Sequence, residues 1–223
     1  MSAERPILFS APMVRAILAG AKTQTRRVVK PAPGRQAAWL TPALLNSSPR
    51  AEVASASGAN GAQFEHPRGG PLTWVRCPYG VAGDDLWVRE SAYIAPPDFG
   101  DRDLCNATDS DGRRRVVGYA ASMDSDSVRC ADDYGVKLTP SIHMPRWASR
   151  ITLRVTSVRV ERLHAITEDD AQAEGAPKAF TVRDGGDSSH RAGFRDLWRS
   201  INGDASWDEN PWVWRMGFGR VRP

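Results

Sequence analysis

The residues best suited to chemistry lie in one octet, Gly20-Ala21-Lys22-Thr23-Gln24-Thr25-Arg26-Arg27, where a lone lysine and two hydroxyls stand beside two arginines. A threonine hydroxyl is a weak nucleophile until a neighbour takes its proton. A lysine does this only where burial or nearby cations disfavour its charged form. Arg26 and Arg27 are placed to supply such cations, and lowering a lysine from ~10.4 to about 7–8 takes roughly 3–5 kcal/mol of environment. A purely structural reading also fits. Lys22 would then neutralise the dipole of a preceding helix, Thr23 and Thr25 would be ordinary strand residues, and Arg27 would suit a phosphate as well as it suits Lys22.

Other chemistries lack their residues. There is no GxxxxGK[ST] loop, GxGxxG turn or GxSxG elbow, and His66, His143, His164 and His190 lack metal-ligand spacing. Cys77, Cys105 and Cys130 fit neither a disulfide framework nor a zinc site. No metal and no cofactor is therefore expected. Arg89-Glu90 reads as an ion pair or as a polar pair reaching a pocket, and His143, Arg146 and Arg150 read as a pocket rim or a solvated loop. Trp198, Trp207, Trp212 and Trp214 read as packing residues, as do Trp87 and Trp147. His66, His164 and His190 read as exposed and inert.

The elements that must position the octet are legible around it. Ile7-Leu8-Phe9 is strand-like, Ser10 and Pro12 open a short helix with Val14, Ile17 and Leu18 as its apolar stripe, and Gly20 closes it. Thr23 to Val29 is extended, with Thr23, Thr25 and Arg27 sharing a face. Between 31 and 75 the pattern dissolves into Ala, Ser, Gly and Pro and predicts an insertion, mobile or lying against the surface over 46–70. Order returns at Trp74 to Gly80, and Gly83-Asp84-Asp85 is a turn signal before a strand predicted at Leu86–Glu90. A polar stretch over 96–139, with one hairpin strand at Arg115–Tyr119, again reads as inserted.

Ile151, Leu153, Val155, Val158 and Val160 mark the longest strand, with a skipped beat at Thr156-Ser157 that predicts a β-bulge. Thr167 to Asp170 resembles a capping box opening a helix that Gly175 ends. Phe194, Leu197, Trp198 and Ile201 predict a second helix, and Trp212 to Phe218 a closing strand. Strands separated by short helices without regular βαβ alternation predict an α+β fold with a mixed or barrel-like sheet in one domain, 1–223.

Composition sets outer limits. The 223 residues are 41% apolar and 25% charged, which supports a core-forming chain. No apolar run reaches the ~18 residues of a membrane span and the N-terminus lacks a signal peptide, so a cytoplasmic location without membrane association is expected. Net charge is only +4, and just four of 30 basic residues are lysines. The many arginines suit phosphate and base recognition but also an Ala, Gly and Arg-rich coding bias.

The octet resembles the GxKxxExR signature of the ASCH family, carried on a PUA-like fold. Gly20, Lys22 and Arg27 match. Thr25 stands where that signature has glutamate, which resembles the branch reading GxKTxTxR. That branch is similar to bacterial N4-acetylcytidine amidohydrolases, which remove acyl groups from N4-acylcytidine. The resemblance implies Lys22 as base, Thr25 as nucleophile and a glutamate on a later helix as proton donor; Ile166-Thr167-Glu168 followed by Ala171 matches that helix's register and makes the donor Glu174.

Gly83 to Val88 resembles the family's Gly-Asp turn. The pieces CPYG, GDDLWVRE, SIHMPRWASRIT and SINGDASWDENPWVW resemble a longer phage and prophage branch. The matches cover most of 5–30, 77–95 and 140–221, leaving insertions at about 31–75 and 96–139. The implied fold is a PUA-like mixed β-barrel flanked by short helices.

The expected partner is a modified cytosine nucleoside or RNA, with Arg26, Arg27, Arg89, Glu90, His143 and Arg146 as substrate-binding candidates. A non-catalytic RNA-binding module is the alternative reading, and a ribonuclease the third.

Overall fold

The structure is a computed structural model that describes residues 3–30, 61–64, 73–95, 115–180 and 188–221. In chain order it begins with β1 (Glu4–Leu8), α1 (Ala11–Leu18), β2 (Gln24–Val28), β3 (Gly61–Phe64), β4 (Thr73–Arg76), β5 (Asp85–Arg89), β6 (Ala92–Ala95) and β7 (Arg115–Tyr119). It continues with α2 (Ser125–Asp133), β8 (Leu138–Thr139), β9 (Thr152–Arg162), α3 (Glu168–Ala173), β10 (Ala179–Phe180), β11 (Ser188–Ser189), α4 (His190–Asn202) and β12 (Trp212–Val221). The chain is mixed α+β, with a sheet-rich core and short helices. Among the described residues no sheet closes into a barrel. Closure requires first and last strands to pair, and each sheet here ends in edge strands.

The chain divides into two compact units, each built from separate stretches of sequence. The first holds Ala3 and the described residues within 21–84 and 154–219. There β12 lies between β9 and β2 and pairs antiparallel with β2, setting Trp214 opposite Arg27 and Met216 opposite Thr25. Successive strand residues point to opposite faces, so β2 serves two cores. Val28 packs with Val213, Leu163, Ala171, Phe194, Trp198 and Trp207 around α3 and α4. Val29 packs with Val75, Cys77 and Trp214.

The expected capping box is present: the Thr167 hydroxyl accepts from Asp170 N and the Asp170 carboxylate accepts from Thr167 N. Glu174 is the C-cap of α3, and Gly175, at φ +73°, ends it in a conformation that glycine adopts without penalty. Helix α4 forms with Phe194 and Trp198 buried, but Ile201 is exposed. The apolar stripe ends one turn early, because the chain turns away at Gly203 and offers Ile201 no partner core. Along β9, Val155 is buried and Val158 and Val160 then pack against the Val75 cluster, so the alternation changes parity where the sequence skips a beat.

In the second unit, with described residues within 4–20, 85–95, 115–153 and 220–221, β1 runs parallel to β5, and α1 buries Val14 and Ile17. Strand β6 pairs antiparallel with both β7 and β8. Tyr93, Ala95, Ala131 and Val136 form its small core with α2, a helix that the sequence reading left inside a polar stretch. Gly61–Phe64 forms β3 against β4, inside the segment predicted to be mobile or to lie against the surface; the rest of that prediction, over 46–60 and 65–70, lies outside the described residues.

Candidate functional site

The C-cap position of α3 and Lys22, two residues before β2, are bridged by main-chain pairing of Lys22 with Glu174. Thr23 N donates to Ala173 O at 2.8 Å, and Phe218 N donates to Thr23 O at 2.8 Å, which fixes the octet between helix and strand. Lys22 Nζ donates to Glu174 Oε2 at 2.9 Å and to Glu174 O at 2.7 Å. Both residues are buried, at 4% and 3% exposure. Burial holds the Lys22 ammonium below its ordinary value; the Glu174 carboxylate opposes this, and the charges of Arg27 and Arg26 reinforce it.

Arg26 is the second cation of this cluster and is buried at 3% exposure. Its NH1 donates to Glu174 Oε1 at 3.1 Å, its Nε and NH2 donate to Glu161 Oε1 at 2.9 and 2.6 Å, and NH2 also donates to Asp170 Oδ2 at 2.9 Å. Asp170 further accepts from Arg215 at 2.7 Å and from Gln24 Nε2 at 3.1 Å. Burial acts to raise the Asp170 carboxyl, but hydrogen bonds from Gln24 and Arg215 and the charges of Arg26 and Arg215 outweigh it and hold it well below the usual carboxylate range. Lys22, Arg26 and Arg215 thus face Glu161, Asp170 and Glu174, three formal charges of each sign.

Of the expected catalytic residues, the structure joins Lys22 and Glu174. Thr25 is buried in β2, but alternation puts Gln24, Arg26 and Val28 toward α3 and leaves Thr25, Arg27 and Val29 on the other face, with Trp214 and Met216. The Arg27 charge reaches Tyr79 there, whose hydroxyl burial pushes above its ordinary value. Arg26, expected to bind substrate, is committed to three carboxylates of its own chain.

The remaining candidates belong to the second unit. Glu90, at 1% exposure, pairs bidentately with Arg150 rather than Arg89, at 2.9 and 3.1 Å, and Arg150 stacks 3.9 Å from the Tyr119 ring centre. Arg89 donates to Ile142 O, Arg146 binds Glu4, and both guanidinium groups lie over Trp87. His143 is exposed. Trp147 is 52% exposed and so is not the packing residue that was expected. His164 and His190 are half-buried rather than exposed: His164 Nε2 lies 2.7 Å from Trp207 O, and His190 Nδ1 lies 2.7 Å from Ala176 O, while His66 lies outside the described residues.

Sequence reasoning missed Glu161, Asp170, Gln24 and Arg215 as members of the cluster. Arg215 carried a signal, being the lone charge in Trp212-Val213-Trp214-Arg215-Met216, as did Gln24 and Arg26 at alternate positions of one strand.

Comparison with protein-family models, curated proteins and solved structures finds no match for this chain.

Proposed function

We propose that this protein is an ASCH-type, PUA-like hydrolase that cleaves the amide C–N bond of N4-acylated cytosine nucleosides in the cytoplasm. The observation that carries the reading is the buried Lys22–Glu174 pair, with Nζ and Oε2 at 2.9 Å. Moving one proton across that hydrogen bond converts ammonium and carboxylate into amine and carboxylic acid, and so creates the base and the acid together without exchange with solvent. A buried lysine whose charged form burial disfavours is the kind of group concentrated at catalytic centres.

In the proposed reaction Lys22 takes the proton of the Thr25 hydroxyl and Thr25 Oγ bonds to the acyl carbon. The C–N bond then breaks as Glu174 protonates the leaving amine, and water hydrolyses the acyl-threonine ester. The role of Thr25 comes from the resemblance of the octet. It requires the Lys22 stem, which precedes β2, to swing Nζ from Glu174 toward the other face of the strand. Arg27, on the Thr25 face, is the group that would hold a ligand phosphate.

A second reading is favoured by one observation: among the described residues, Lys22, Arg26 and Arg215 are hydrogen-bonded to Glu161, Asp170 and Glu174 in a charge-balanced brace. Such a brace suits a non-catalytic RNA-binding module. The purified chain incubated with N4-acylated cytosines, nucleosides and short RNAs at two salt concentrations separates the two. A hydrolase releases acid from the nucleoside at both salts, whereas an RNA module releases none and loses RNA affinity steeply as salt rises.

A further inference from the structure

Arg26 lies outside the positions that carry the family resemblance, yet it is the residue that touches every carboxylate of the cluster. Its three donor nitrogens are divided among three carboxylates on two elements: Nε and NH2 bind Glu161 on β9, NH2 also binds Asp170 on α3, and NH1 binds Glu174 at the end of α3. Asp170 is itself clamped from the far side by Arg215 of β12 and by Gln24 of β2. The guanidinium is therefore held in one orientation by carboxylates on β9 and α3, and the NH1 bond engages only Oε1 of Glu174. That leaves Oε2 directed at Lys22 Nζ.

We propose that Arg26 is a positioning residue, whose planar fork fixes the Glu174 carboxylate so that one oxygen faces Lys22. A lysine at this place could supply the charge but not the fork, because an ammonium is a point charge that cannot present separate nitrogens in fixed directions to three carboxylates. Acting only through charge, Arg26 would disfavour the Lys22 ammonium, as the neighbouring Arg27 also does. As a positioning residue it does the reverse, since it keeps beside Lys22 the one carboxylate that favours the charged form. The two roles thus give opposite signs when Arg26 is removed. The proposal deepens the hydrolase reading and takes its catalytic meaning from it.

The test is an NMR titration of the lysine side chains in the full chain, without substrate. The chain has four lysines, Lys22, Lys30, Lys137 and Lys178, and the signal lost in Lys22→Arg identifies Lys22. Positioning predicts that Arg26→Ala lowers the Lys22 titration midpoint by about one pH unit or more, the usual effect of losing a close opposite charge. It predicts that Arg26→Lys lowers the midpoint as well, although the charge is kept. A midpoint that rises in Arg26→Ala, or stays in place in Arg26→Lys, overturns the proposal. Should neither variant fold, the wild-type chain decides: a fixed fork gives Arg26 four separate Nη–H signals, and a rotationally averaged signal overturns the proposal. A chain that titrates as expected yet hydrolyses no acylcytosine rejects the hydrolase reading and leaves the role of Arg26 standing.

Discussion

Replacing Asp170 by asparagine probes the charge cluster at the carboxylate that Arg26, Arg215 and Gln24 share. The amide keeps the size of the side chain and an oxygen for the Thr167 cap, but it removes the charge that Arg26 and Arg215 share at 2.9 and 2.7 Å. Breaking a fully buried pair costs ~3–5 kcal/mol and an exposed one ~0–1 kcal/mol. Asp170 is neither, so the loss expected at pH 7 is about 2–3 kcal/mol. For a chain of this size that is a fall of about 5–10 °C in Tm, at ~2–4 °C per kcal/mol.

The pH dependence has a definite sign. The Asp170 carboxyl is depressed in the folded chain, so its contribution is present above the unfolded value of ~3.9 and is lost as pH falls through the folded value. Urea unfolding of both chains between pH 3 and 8 should show a constant gap down to about pH 5 that narrows in acid. A gap below ~0.5 kcal/mol at pH 7, or one that widens on acidification, would refute the reasoning, because the carboxylate would then be solvated rather than shared by two arginines.

Lys22→Met removes a buried ammonium whose folded value lies below the unfolded ~10.4. In the window between those values the unfolded wild-type chain binds more protons, so wild type should gain stability relative to the variant as pH rises through it; urea unfolding at pH 7 and pH 10 reads this, and parallel trends would contradict it. A Cβ on Gly193 of α4 would lie 1.8 Å from Pro177 O, a main-chain atom with little freedom to move. Gly193→Ala should therefore cost about 1–3 kcal/mol or more, and an unchanged thermal melt would show that the chain after Gly175 yields easily.

The elements around the octet were legible because each is bounded by residues with a local physical role. Gly20 stops α1, Thr167 and Asp170 open α3, and Gly203 ends α4. These signals act within a few residues and survive any tertiary arrangement. Helix α2 escaped because its capping aspartate and acidic first turn look like a polar loop, and its buried face is little more than Ala131.

The meeting of Lys22 with Glu174 was anticipated, but from the family resemblance rather than from any pattern in the residues. The role of Arg26 was out of reach. Whether a strand residue faces a helix or the opposite core depends on which elements cover each face, and Glu161, Asp170 and Arg215 come from 135 to 189 positions further along the chain. The same parity argument separates Thr25 from Arg26, neighbours that the sequence alone treats as one cluster.

The central claim is that Lys22, Thr25 and Glu174 act as one hydrolytic unit, and the most direct test is the rate of acyl release from N4-acetylcytidine by wild type, Lys22→Ala, Thr25→Ala, the double variant and Glu174→Gln. The account predicts turnover by the wild-type chain. Each alanine variant should lose most of it with folding retained, and the double variant should lose little more than either, because residues acting as a unit fail together. Glu174→Gln should depress turnover more than affinity. A folded wild-type chain that releases no acyl group, or one whose turnover survives Thr25→Ala, would contradict the account.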